Sequence, residues 1–199
     1  VGVKQEIIRG LRAHATAGRA FVPADASALT GFTTSVIGGR TQIIQGNPDL
    51  KPEHSVSVDG GLEWLSTSTH VDVTYFQTAV KDRVVTSVTV SAPPPPAPIV
   101  LSAINSLSSH IYGMEFDAER RLSAAVSVFS NITHYFSRRE QLAAGERNIL
   151  NVASNTVRMG VDVDWRALSS RLSARYVDGR QDQDFNLSGA PVVDYPRSE

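Results

Sequence analysis

The 199 residues suffice for one domain with a sizeable core if the chain is globular. A net charge of −1 provides no strong field for nucleic acid, and the lack of any cysteine excludes disulfide scaffolds, thiolate metal sites and cysteine nucleophiles. No apolar run approaches the roughly 18 residues of a spanning helix, which excludes a helical membrane protein but not a β-barrel, whose alternating strands are nearly invisible to hydropathy. The mean hydropathy of −0.13 suits a barrel and a soluble protein alike. Basic residues are lopsided, sixteen Arg against three Lys. Arg is the better bidentate partner for carboxylate and phosphate, although genomic base composition alone would produce the same bias. Residues 1–9 hold neither a signal peptide nor an initiating Met, and residues 195–199 end no convincing element, so a fragment cut at both sides is expected.

Alternation, not helical periodicity, dominates the chain. A first strand is predicted over residues 7–21, with Leu11, Ala13, Ala15 and Ala17 alternating with Arg12, His14, Thr16 and Gly18. A long loop over 23–54 ends in Gly46-Asn47-Pro48-Asp49-Leu50-Lys51-Pro52-Glu53. The two prolines of that run lack a donor N–H and push the residues before them toward extended geometry, so it is neither helix nor central strand. The second strand, 55–64, puts Val56, Val58, Gly60, Leu62 and Trp64 on one face and Ser57, Asp59, Gly61 and Glu63 on the other. A turn at 65–68 leads to a third strand, 69–87, and then to a loop with four consecutive prolines, 93–96, which cannot pair in a sheet. A fourth strand is predicted over 110–120, a tight turn at Arg120-Arg121, a fifth strand over 122–135 and a polar loop over 136–154. The sixth strand, 155–166, sets Val157, Met159, Val161, Val163 and Trp165 against Arg158, Asp162 and Asp164. A turn at 167–169, a seventh strand over 170–178, a loop over 179–189 and the start of an eighth strand near Val192 complete the reading.

Short and long connections alternate, and several strands have the roughly 9–11 residues a tilted strand needs to cross a bilayer. Short turns on one side and long loops on the other is the plan of an outer-membrane barrel. The expected fold is therefore all-β: an antiparallel up-and-down transmembrane β-barrel segment of about seven or eight strands, not closed by itself. Trp64 and Trp165 end apolar faces at short turns and would sit at one membrane boundary, with Tyr112 near the other. Core aromatics of a soluble sheet would give the same pattern.

Several runs resemble the barrel of TonB-dependent outer-membrane receptors. Asn47-Pro48-Asp49-Leu50-Lys51-Pro52-Glu53 is similar to that family's Asn-Pro-x-Leu-Lys-Pro-Glu element, and residues 11–23 resemble the strand that precedes it and ends in Gly-x-x-Phe-x-x-Pro. Residues 73–76 with 81–85 resemble the next strand, Tyr112-Gly113-Met114-Glu115 a following strand opening with Asn105 as counterpart of the Asn before it, and Arg175-Tyr176 with Asp182-Gln183-Asp184-Phe185 a later strand and loop. Arg83-Val84 departs from the usual Ile. The resemblance implies that residues 1–199 form part of the barrel domain, without the plug domain and the last strands. It implies outer-membrane active transport of a scarce solute of siderophore, haem, cobalamin or oligosaccharide type in a Gram-negative bacterium. It further implies TonB energisation through the protein's own plug, a small-molecule ligand, and contact with lipid bilayer and lipopolysaccharide. In this reading the family-like motif residues Asn47, Pro48, Leu50, Lys51, Pro52 and Glu53 are structural.

Because a barrel can show lipid only apolar groups, Arg12, His14, Asp59, Glu63, Asp72, Glu115, Asp117, Arg158, Asp162, Asp164, Arg171 and Arg175 are expected in the lumen. They serve as ladder partners of opposite sign, or, more sharply, Arg158, Arg171 and Arg175 form a basic wall for an anionic ligand. The carboxylates of residues 178–184 do not have EF-hand spacing, the five His are scattered, and no catalytic constellation is visible. No enzyme activity, cofactor or metal site is expected. A diffusion porin and a soluble or cell-surface β-sandwich binding module are the alternatives.

Overall fold

The computed structural model describes residues 1–143, 145–183 and 191–196. The chain runs through β1 (Gly2–Ile8), β2 (Leu11–Val22), a short helix α1 (Ala26–Thr30), β3 (Phe32–Ile37), β4 (Arg40–Gln45) and β5 (Glu53–Leu65). It continues through β6 (Thr69–Lys81), β7 (Val84–Ser91), β8 (Ile99–Asn105), β9 (Ser108–Arg121) and β10 (Val126–Leu142). Then come β11 (Gly145–Asn148), β12 (Asn155–Trp165), β13 (Leu168–Val177), β14 (Arg180–Gln183) and β15 (Val192–Tyr195).

The main sheet is an open path of eight antiparallel strands, β1-β2-β5-β6-β9-β10-β12-β13, with β11 added beside one end of β10. Strands neighbouring in this path are joined alternately by short turns and long excursions. Residues 9–10, 66–68, 122–125 and 166–167 make the short turns at one end, and 23–52, 82–107 and 143–154 the long ones at the other. The long excursions carry a second sheet, β3-β4-β8-β7, in which β4 and β8 run parallel.

The expected up-and-down plan and strand count hold, and several boundaries are corrected. The first predicted strand is two strands: Gly10, at φ +84°, turns the chain between β1 and β2 and leaves no room for a Cβ, which would lie 2.6 Å from the Leu65 carbonyl oxygen. Adjacent Ile7 and Ile8 break the alternation of β1 at a register shift, which hid it. The third strand ends at Lys81, because Asp82 takes a left-handed backbone (φ 55°) that diverts β7 into the second sheet. The turn between the fourth and fifth strands lies at 122–125, and the sixth and seventh turn at 166–167. The predicted loops are structured: β3 and β4 form a hairpin on Gly38-Gly39, β8 follows the proline run, and β10 continues to Leu142 before β11 returns beside it. β15, the expected eighth strand, pairs with β14 in a separate hairpin and not with the main sheet. The polyproline segment lies outside the sheets, where Arg40 donates to the carbonyls of Pro93 and Ala97. Asp184 and Phe185 of the family-like loop, and Arg197, Ser198 and Glu199, lie outside the described residues.

Cross-strand register sorts the main sheet into two faces. One carries Ala13, Leu62, Val73 and Phe116 in one row and Met159 with Ala174 in another; all twelve charged side chains expected in the lumen lie on the other. Exposure is inverted relative to a water-soluble sheet. Leu62, Trp165 and Leu172 are 51, 60 and 77 % exposed, whereas the side chains of Glu63 and Asp162 are only 14 and 22 % exposed. An uncovered apolar face of this extent requires a nonaqueous partner, not a second sheet, which is against the sandwich alternative. The buried apolar residues, Leu50, Val85, Ile99, Leu101, Ala103, Leu142 and Ile149, gather instead at the long-excursion end.

Candidate functional site

The family-like run Asn47–Glu53 occupies the junction between the excursions and β5. The Asn47 amide donates to the Ala103 carbonyl at 3.1 Å, and its Oδ1 accepts from the Asp49 N–H at 3.0 Å. Leu50 is buried, and Glu53 accepts from the Val84 N–H at 2.6 Å. Pro48 and Pro52 leave no N–H in need of a partner at the two ends of the turn. Asn105 grips Lys51 from the other side, accepting from its N–H at 2.8 Å and donating to its carbonyl at 2.9 Å. Gly46 is required by close approach: a Cβ there would lie 2.6 Å from backbone atoms of Leu29 and Thr30.

The charged face is partitioned. Across β5, β6 and β9 it is acidic, with Glu63 opposite Asp72 and Asp72 opposite Asp117. Like charges so placed repel, and neighbours compensate them. Lys4, His70 and Arg12 approach Glu63 at 2.6, 3.2 and 3.5 Å. His14 lies 2.9 Å from Asp72, Thr16 donates to Asp59, and Asn131 donates to Asp117. Across β12 and β13 the face is basic. Arg158 and Arg175 are direct cross-strand neighbours, while Arg171 makes a bidentate bond to Asp162 at 2.5 and 2.7 Å. Phe129 supports both, with the Arg171 and Arg158 guanidinium carbons 4.9 and 5.7 Å from its ring centroid.

The three arginines singled out from sequence therefore share a face but not a condition. Arg171 is committed to a carboxylate; among the described residues neither Arg158 nor Arg175 forms an ion pair. Arg175 lines a cavity of about 500 Å³ with Tyr135, Asn151, Thr156 and Arg180. Arg180 escaped the sequence reading because it falls in a predicted loop. It donates to Asn151 Oδ1 at 3.1 Å and lies 5.9 Å from the Tyr195 ring. A larger cleft of about 810 Å³ at the short-turn end is lined by both signs, including Glu119, Arg121, Asp162 and Arg171. Among the described residues no group of three or more His, Asp or Glu is placed to hold a metal.

At the long-excursion end the inner face carries a buried ion triad. Glu140, 1 % exposed, accepts from Arg83 at 2.6 Å and from Arg147 at 2.7 Å. It joins the base of β7 to β10 and β11.

An open antiparallel sheet with a lipid-ready outer face, a half-buried charged inner face and sorted connections is the wall of a transmembrane β-barrel. Residues 2–197 match the family model described as TonB dependent receptor-like, beta-barrel, and the chain belongs to the TonB-dependent receptor family. Among solved structures it is similar to the siderophore receptor PirA from Acinetobacter baumannii (16 % identity, TM-score 0.72), covering 99 % of this chain and 32 % of that one. It is similar to the ferric enterobactin receptor PfeA from Pseudomonas aeruginosa, solved with enterobactin (15 % identity, TM-score 0.69, 99 % and 31 % covered). It also resembles the copper transporter OprC (16 % identity, TM-score 0.68, 88 % and 26 % covered). No curated protein matches the sequence. The chain thus spans about a third of the length of the receptors it matches. The family comprises receptors and transporters, not enzymes.

Proposed function

We propose that this chain is wall and outer-loop structure of a receptor that imports a scarce anionic metal chelate across the outer membrane of a Gram-negative bacterium. The remaining wall, a plug in the lumen and the TonB contact that energises transport would come from the rest of a longer protein. The observation that carries the ligand class is that Arg158 and Arg175, cross-strand neighbours on the inner wall, form no ion pair among the described residues, Arg158 lying against the Phe129 ring and Arg175 lining the cavity. Arg180 and the polar cavity next to Arg175 extend this positive surface toward the long-excursion end. Guanidinium is suited to carboxylate and catecholate oxygens because its planar fork donates two parallel bonds. Siderophore receptors among the similar structures favour a ferric siderophore over haem, cobalamin or oligosaccharide.

The test uses the full-length protein in outer-membrane vesicles, with ferric enterobactin and ferric citrate as probes. Arg158→Gln with Arg175→Gln should weaken binding of at least one probe by ~10- to 100-fold, the loss of one or two charge-assisted contacts. Unchanged affinity for both would remove the basic-wall reading. In cells, uptake that continues at full rate after the proton gradient is collapsed would instead show a diffusion porin.

A further inference from the structure

Arg158 stands beside one cation, Arg175, and shares its strand face with a carboxylate, Asp162, yet forms no ion pair among the described residues. We propose that Phe129 is the positioning residue that keeps it free, a wedge that holds the Arg158 guanidinium at the inner wall for an anionic ligand and bars it from Asp162. The proposal rests on the basic-wall reading above and adds to it a residue that carries no charge.

The ring is placed by a missing side chain. Phe129 faces inward from β10, directly opposite Gly160 on β12 and Glu119 on β9. It fills the space that a side chain of Gly160 would take: a Cβ there would lie 2.6 Å from Phe129 Cζ and 2.8 Å from its Cε1. The ring therefore crosses β12 at the level of Gly160. Arg158 and Asp162 lie two residues to either side of that level, on the same face. The guanidinium carbon of Arg158 is 5.7 Å from the ring centroid, and that of Arg171 is 4.9 Å from it. One of these cations is free and the other is bound to Asp162.

Without the ring, local forces would move Arg158. Arg175, its direct cross-strand neighbour, repels it. Asp162 attracts it from ~13 Å along β12, four residues at ~3.3 Å each, a span that a long Arg side chain leaning along the strand can largely close. The bond to Arg171 does not exhaust that carboxylate, which has about four acceptor sites. Glu140, in the same chain, accepts from both Arg83 and Arg147. Toward β9 the way is closed differently: Arg158 faces Asn131, which already donates to Asp117. Toward Asp162 the barrier is Phe129, whose ring occupies the path and attracts the guanidinium to its face.

The experiment uses the full-length protein in outer-membrane vesicles, with ferric enterobactin and ferric citrate as probes. It compares Phe129→Leu in three backgrounds: wild type, R158Q and D162N. Leu keeps the apolar bulk and removes the aromatic face. In wild type, F129L should weaken by about fivefold or more the binding of whichever probe R158Q weakens. In R158Q it should cost nothing further, because the residue it positions is gone. In D162N it should lose most of its effect, because the competing carboxylate is gone. A ring that served packing alone would cost the same in all three backgrounds, and that result overturns the proposal, as does an F129L that binds like wild type. R158Q and R175Q that both bind the two probes as wild type does would remove the basic wall itself, and this proposal with it. If F129L does not fold, Arg-labelled wild type in lipid nanodiscs decides by NMR. The Arg158 side-chain signals, assigned by their absence from R158Q, should carry the ring-current displacement of a facing aromatic ring, and undisplaced signals overturn the proposal.

Discussion

The Asn105 side chain holds Lys51 by both backbone groups, as a neighbouring strand would, and a third bond from its Nδ2 reaches the Asp82 carbonyl at 2.6 Å. One amide thereby joins the turn that enters β5, the left-handed residue that follows β6 and the end of β8 in the second sheet. Asn105→Ala should leave those backbone groups short of partners, at about 1–3 kcal/mol. The loss is local, so hydrogen exchange should quicken across Lys51, Val84 and the β7–β8 pair while the main sheet keeps its protection. Uniform exchange across both sheets would show that the clamp is redundant.

Glu140 is the most buried charge among the described residues, and its partners come from separate elements. Removing it by Glu140→Ala strands Arg83 and Arg147 near one another. Such losses cost about 3–5 kcal/mol in fully buried pairs; with the two Arg side chains 32 and 23 % exposed, the lower end is expected. Thermal unfolding followed by heat-modifiable mobility of the full-length protein reads this directly, and a wild-type midpoint would refute it.

The inverted faces predict opposite outcomes for adjacent positions. Val58 is outward, near the middle of the β5 band, so Val58→Arg should cost about 2–4 kcal/mol. Ser57, next to it, points inward, and Ser57→Arg should cost less than about 1 kcal/mol. Equal costs in denaturant titrations of the lipid-embedded protein would contradict the assigned faces.

Arg171 separates packing from recognition. Bound to Asp162 by two bonds, it has little to offer a ligand. Arg171→Gln should lower stability and leave affinity for ferric enterobactin and ferric citrate unchanged, in contrast to the Arg158 and Arg175 variants. A selective loss of affinity would restore it to the binding wall.

The Asp25 carboxylate caps α1, accepting from the Ser27 hydroxyl at 2.6 Å and the Ser27 N–H at 2.8 Å. These two bonds hold its pKa below the ordinary carboxylate value. A lowered folded value means that the cap's contribution is present above the unfolded value of about 3.9 and is lost as pH falls through the folded one. Exchange of the α1 amides, corrected for intrinsic rates, should therefore be flat from pH 7 to 5 and quicken below about pH 4, whereas Asp25→Ala should be fast throughout.

Much of this was legible in the chain itself. Alternation such as Val56-Ser57-Val58-Asp59 specifies a two-faced strand because successive side chains point oppositely, and a one-residue slip would put Asp59 and Glu63 into lipid. Turn position followed less well, since Arg120, Arg121 and Leu122 carry no turn chemistry and only the pairing with β10 set the end of β9. The Gly38-Gly39 pair did signal a hairpin, but nothing near it reveals that β4 runs beside β8, about 57 residues away, because a parallel pairing leaves no local mark.

The sequence by itself determined the barrel class, the strand faces and the family, because these rest on a period of two and on a run of seven residues with constrained backbones. Tertiary structure alone decided which arginines are free. Arg158, Arg171 and Arg175 are equivalent in the chain, and only the register of β12 against β13 gives Asp162 to one and leaves the other two facing each other. It also decided how the inner wall is divided, with the acids of β5, β6 and β9 side by side and the arginines on β12 and β13, since a strand's own alternation does not say which strand lies beside it.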